Sequence, residues 1–402
     1  MKVEQPLLGK IGTLIFLVMI SAFPPLTTDI YLAALPTMVN TLNTNETMVN
    51  LTLSLYFLVY AITLLFWGPL SEKFGRKPIL LFGLGIYVTA SVLCALSNSV
   101  EMLIAARLIQ AFGGSAITVV ATAIVKDLYD GRQREKIMAI IMSLVIIAPM
   151  VAPILGAFLL KISSWHMMFI ALAIFGGIAT VFSLLFKETL AQKYSGSVLH
   201  SWGRLGVVIK NKQFLSLLAI FAIPPMALMS FLAAGSFIYI NDFGLSEQMF
   251  SYAFSFNAFF AAFGPSIYIA LSKRIAVDKI ITACFVILTI CGTLTYTLGN
   301  LSPLIFALIT APVTIMIIMV RVPGINLMLN QQENDTGSSV AIIQFCSMMA
   351  GSLGMMLVML RPQTLIQNLG IIQFCIGAIA CSLWLLVRSK PYVSDNLAKL
   401  KE

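Results

Sequence analysis

The chain has 402 residues, of which 59% are hydrophobic and only 10% charged, with a mean hydropathy of +0.96. A soluble domain carries roughly 25% charged residues to meet water, so this composition excludes a soluble protein and makes the bilayer the solvent. The net charge of +9 does not point to nucleic acid, because the basic residues gather in short segments between apolar runs, as membrane topology requires.

In chain order, the apolar runs predict an all-α membrane protein of twelve spans at about 11–37, 47–69, 77–97, 100–124, 135–160, 166–186, 213–240, 248–271, 279–298, 302–326, 338–360 and 366–388, each near the ~17–25 residues needed to cross. The first run follows Lys2 and Lys10 as a signal peptide would. It continues past Pro24-Pro25 to Pro36, beyond a cleavable core of ~7–15 residues, and is read as an uncleaved span. The six cysteines lie inside apolar runs without a CxxC pair, which leaves neither a disulfide framework nor a zinc site.

With the N-terminus inside, 21 of the 25 Lys and Arg fall on the cytoplasmic side. Only Lys161 and Arg361 fall outside, and Arg107 and Arg321 sit within spans. Both termini are therefore expected in the cytoplasm of a bacterial inner-membrane protein. The longest connection is basic and falls midway, dividing the chain into a six-helix half (1–190), a linker (191–212) and a second six-helix half (213–402). A weak internal repeat follows the same division. Pro24-Pro25 with Ala33-Ala34 recurs as Pro224-Pro225 with Ala233-Ala234, and Gly68-Pro69 as Gly264-Pro265, which predicts two pseudo-symmetric halves.

Four segments carry chemistry. Between the second and third spans runs Gly68-Pro69-Leu70-Ser71-Glu72-Lys73-Phe74-Gly75-Arg76-Lys77, where the glycines permit tight turns and Glu72 can pair with Arg76 one helical turn on. Arg107 with Gln110 in the fourth span is a charge in hydrocarbon, costing at least ~2.5–3.5 kcal/mol unless it finds partners. Ala152-Pro153-Ile154-Leu155-Gly156 lets the fifth span bend and pack closely. Asp29, in Thr28-Asp29-Ile30-Tyr31-Leu32-Ala33-Ala34, is the one carboxylate well inside a span, one turn after a proline pair that can break the helix beside water.

In these segments the chain resembles the major facilitator superfamily, whose signature loop reads Gly-x-Leu-x-Asp-Arg-x-Gly-Arg-Arg/Lys; Glu72 and Lys73 replace its Asp and first Arg. Arg107 to Ala111 is similar to the Arg-x-x-Gln-Gly/Ala motif of proton-coupled members, and Ala152 to Gly156 to a drug:proton antiporter motif. The Thr28–Pro36 stretch is similar to the bicyclomycin/chloramphenicol-resistance branch. The resemblance implies the major facilitator fold and a monomeric antiporter, with a small-molecule substrate, protons and the lipid bilayer as its partners. It implies a cytoplasmic gate at Gly68, Glu72, Gly75, Arg76 and Lys77, and proton coupling at Asp29 with Arg107. Tyr31, Tyr56, Tyr60, Met150, Met229, Phe231, Tyr239, Asn257 and Gln344 are candidates for a substrate cavity, since flat rings and thioethers suit varied lipophilic ligands; the same residues also suit ordinary packing.

No Gly-x4-Gly-Lys-Ser/Thr loop is present, and His166 and His200 have no partner at ligand or triad spacing, so neither ATP hydrolysis, other enzymatic chemistry nor a cofactor is expected. Two other readings stay open: proton-coupled transport of a specific metabolite or nutrient, and a sensor built on the same fold.

Overall fold

The computed structural model describes residues 3–190, 192, 198–332 and 336–399, and among these every regular element is helical. The chain divides into two compact units, Met1–Trp202 and Gly203–Glu402. Of the expected linker 191–212, residues 191 and 193–197 lie outside the described residues.

In the first unit the spans are the bent pair Gly9–Ser21 and Phe23–Thr41, then Glu46–Phe74, Arg76–Ala95, Val100–Leu128, Gly131–Ile162 and His166–Leu185. In the second they are Lys212–Asp242, Glu247–Ser272, Val277–Leu298, Pro303–Leu329, Thr336–Val358 and Leu365–Val387, followed by a short helix Pro391–Lys399. Among the described residues eleven helices are long and apolar enough to cross a membrane, and counting the bent pair as one span makes twelve. The tenth span, whose end fades through Asn326 and Asn330 in the sequence, continues to Leu329.

Capping residues set where several spans begin. The side chains of Asn45, Ser99, Ser246 and Ser302 accept from the backbone N–H three residues on, opening the second, fourth, eighth and tenth spans. Each satisfies a donor the helix cannot, worth about 1 kcal/mol. Proline sets the breaks. The first span bends by 42° at Ala22, just before Pro24-Pro25, and the seventh interrupts between Phe221 and Pro225, since proline lacks an N–H for the helical ladder.

Apolar faces remain outside the packing. On the sixth span Ile170, Ile174, Ile178 and Leu185 are exposed along one helical stripe, which suits lipid. In each unit the ends of the chain are fastened together. Gln5 Nε2 donates to the Lys187 carbonyl at 3.1 Å and Lys187 N–H returns to Gln5 Oε1 at 2.7 Å. In the second unit Asn211 donates to the Gln331 carbonyl at 2.9 Å, and Gln331 Nε2 donates to the Tyr392 carbonyl at 3.2 Å.

Candidate functional site

Asp29 is the last residue of the helix Phe23–Asp29; the chain then turns through Ile30 and Tyr31 into a 3-10 turn at Leu32–Ala34. The carboxylate is 5% exposed and accepts from Thr28 Oγ1 at 2.8 Å. The fifth span lies directly against this break. A methyl group on Gly156 would fall on the Ile30 carbonyl, so only glycine allows the approach. Ala152, on the same face one turn earlier, is fully buried, and Met150 is half-buried beyond it.

Arg107 is fully buried and does not pair with Asp29. Its Nε donates to the Thr52 carbonyl at 3.3 Å, and its terminal nitrogens donate to the Thr27 carbonyl at 3.4 Å, Tyr31 Oη at 3.2 Å and Gln110 Oε1. The guanidinium carbon stands 4.2 Å from the Tyr56 ring centre and 4.6 Å from that of Tyr31, with Phe169 at 5.8 Å. Carbonyls and ring faces thus take the place of a counter-ion. Tyr31 and Tyr56, expected at a substrate cavity, form the walls of this cage. Tyr60 stacks on Tyr56 at 5.8 Å and donates to Thr118 at 2.7 Å, joining the second and fourth spans.

The expected Glu72–Arg76 pair is not made. Gly75 sits at φ +112°, which ends the second span at Phe74 and turns Arg76 away from that helix. Arg76 Nε bonds Asp127 at 2.9 Å and its terminal nitrogen donates to Ser71 Oγ at 2.6 Å, while Glu72 is exposed. Glu188, from the end of the sixth span, accepts from the backbone N–H groups of Arg76 at 3.1 Å and Lys77 at 3.0 Å. It therefore caps the third span from outside, where Gly75 offers no side chain. Lys77 Nζ donates to the Leu184 carbonyl at 2.7 Å. At Gly68 no atom of another residue lies within 4 Å of a Cβ position, so close packing does not demand glycine there.

The remaining candidates, all in the second unit, separate into two places. Phe231 and Tyr239 are buried in an aromatic cluster, with Phe231–Phe254 at 6.1 Å and Tyr239–Phe306 at 5.3 Å. Asn257 donates to Thr310 at 3.4 Å between the eighth and tenth spans. Met229 and Gln344 instead line a cavity of about 50 Å³ with Arg321 and Ser347. Among the described residues no three His, Cys, Asp or Glu side chains gather as a metal site.

Sequence reasoning missed Asp127, Glu188 and Arg321 as site residues. Asp127 and Glu188 were visible as acids beside basic span ends, but their partners lie 51 and 112 residues away. Arg321 carried the same signal as Arg107, a charge inside a span.

Comparison with known proteins agrees with this architecture. An MFS-type transporter of Bacillus subtilis, YdgK, itself uncharacterised, is 29% identical over 94% of this chain and 95% of its own length. A bicyclomycin resistance protein homolog of Haemophilus influenzae is 30% identical over 61% of this chain and 63% of its own. The crystal structure of a bacterial homolog of the lysosomal transporter Spinster, inward-facing and occupied, superposes with a TM-score of 0.74 over 97% of this chain and 98% of that one, at 14% identity. The Major Facilitator Superfamily model matches residues 14–355, a stretch that takes in the broken first span, the Gly75 turn and the Arg107 cage, and the chain belongs to that superfamily of membrane transporters.

Proposed function

We propose that this chain is a monomeric, proton-coupled exporter of drugs or other small lipophilic molecules in a bacterial inner membrane, with both termini cytoplasmic. The two halves, 1–190 and 213–402, joined by the 191–212 linker, would give alternating access. Relatives named for bicyclomycin and multidrug resistance support export; the latter, MdtL of Escherichia coli, is 33% identical over 40% of this chain.

The observation that carries proton coupling is Asp29. It is a buried carboxylate at a broken helix, with Thr28 as its hydrogen-bond donor and Arg107 committed elsewhere. A carboxylate not neutralised by a fixed cation is free to take a proton from one side and release it to the other. Each cycle would load Asp29 from outside as substrate leaves, carry the proton inward and release it to the cytoplasm as the next substrate binds. Gly75, Arg76, Lys77, Asp127 and Glu188 would hold the cytoplasmic end of the first half in one shape during that cycle.

Asp29→Asn in proteoliposomes tests this reading. Drug flux driven by a pH gradient should fall to background, and substrate addition should no longer release protons. Gradient-driven flux at the wild-type rate would assign the proton to another group.

A further inference from the structure

The two arginines inside spans are held in opposite ways. Arg107 is enclosed and makes four hydrogen bonds, at least one from each guanidinium nitrogen, whereas Arg321 is exposed and makes a single hydrogen bond, from a terminal nitrogen to Gln344 Oε1 at 3.0 Å. Among the described residues it has no carboxylate partner, so most donors on its fork are unused. Snorkelling does not account for it. Arg321 lies eight residues before the end of the tenth span at Leu329, and Gln344 eight after the start of the eleventh at Thr336. At ~1.5 Å per residue both lie ~12 Å from their helix ends, and the guanidinium turns sideways to its neighbour at equal depth.

The cavity these residues line is built within the second unit. Its floor is the proline break of the seventh span, with Pro224, Pro225 and Met229. Gly351 lets the eleventh span approach Met229, since a Cβ there would fall 2.7 Å from Met229 Cγ, and Met229 lines the cavity beside it. Ser347 is 8% exposed, and its hydroxyl bonds no described residue. A largely unused guanidinium fork, an amide and an unpartnered hydroxyl thus converge on about 50 Å³ of otherwise apolar space. A whole drug needs ~300–1,000 Å³, so this volume fits only the polar head of one.

We propose that this cavity is a subsite for an anionic group, such as a carboxylate, on a lipophilic substrate, with Arg321 as its charge and Gln344 and Ser347 as its polar walls. Arg321 clamps the two acceptor oxygens with its planar fork. Gln344 orients the fork, and its own amide N–H group and the Ser347 hydroxyl complete the contacts. The methionine and proline walls meet the apolar body. This inference rests on the reading of the chain as an exporter of lipophilic molecules and adds the substrate class: acids are favoured over cations.

The test is equilibrium binding of fluorescein, an anionic xanthene, and rhodamine 123, a cationic one, to the full chain in nanodiscs. Binding needs no pH gradient, so it reads the subsite even where proton coupling fails. The wild type should prefer fluorescein. Arg321→Gln should weaken fluorescein about 10- to 100-fold, as expected for a lost charge-assisted contact, while rhodamine 123 changes less than twofold. Arg321→Lys and Gln344→Leu should each cost about 3- to 10-fold; should Arg321→Gln aggregate, these two decide, and wild-type affinity in both overturns the proposal. It is equally overturned by a wild type without preference for fluorescein, by unchanged fluorescein affinity in a monodisperse Arg321→Gln, or by equal loss of both dyes.

Discussion

Arg107 shows how a charge is kept in a membrane without a counter-ion. Its flat guanidinium lies over Tyr56 and Tyr31 and spreads its donors over Thr27, Thr52, Tyr31 and Gln110. Lysine keeps the charge but has neither the plane nor the fork. Arg107→Lys should therefore destabilise the protein by about 2–4 kcal/mol through lost ring contacts and unpaired buried acceptors, measured as a lower midpoint in a thermal scan of detergent-purified protein. A midpoint equal to the wild type would show that the cage does not hold the fold. The sequence marked Arg107 and Asp29 as charges in apolar runs, and that cost is local. Of its partners only Gln110 was legible beside it; Tyr31 and Tyr56 read as substrate-cavity candidates and Phe169 was not marked, because the three rings come from three different spans.

The signature turn works as an element, not as a pair of charges. Gly75 takes a backbone angle that other residues rarely adopt, and Glu188 then supplies the cap the third span lacks. Removing Glu188 leaves the N–H groups of Arg76 and Lys77 unmet at a helix start, while Glu72 has nothing to lose. Glu188→Ala should cut transport several-fold at normal expression, and Glu72→Gln should stay within about twofold of wild type, since exposed charges contribute little. Vesicle flux assays on the two variants check this, and the reverse ranking would return the role to Glu72. Proline pairs announced the breaks in the first and seventh spans. The matching Gly68-Pro69 and Gly264-Pro265 pairs sit in different backbones: the second span runs unbroken through Pro69, whereas the eighth is interrupted between Ala262 and Gly264. There Gly264 meets the Ile315 carbonyl of the tenth span, a contact between elements that no local pattern records.

At the scale of the whole chain, hydrophobic run length was the most informative feature, because a bilayer allows few other solutions. Span number and type were therefore readable, while breaks and span ends required the packing. The orientation proposed here is checked by cysteine labelling in a background lacking the six native cysteines. A membrane-impermeant reagent applied outside should label probes at Asn98 and Asn300 and miss those at Arg132 and Lys273, and the opposite pattern would invert the topology.

The fastenings at the chain ends of each unit bear on how the polypeptide can be divided. Gln5 holds Lys187 across the first unit, and Gln331 ties Asn211 to Tyr392 across the second. Each unit thus closes its own chain ends without calling on the peptide bonds that join it to the other. Co-expressed as two polypeptides, 1–197 and 198–402, the protein should assemble in the membrane and retain transport. Gln5→Ala combined with that cut should lower the yield of the first fragment, a loss read from fragment abundance after a protein-synthesis chase. The molecule is, in this sense, already written as two genes sharing one reading frame.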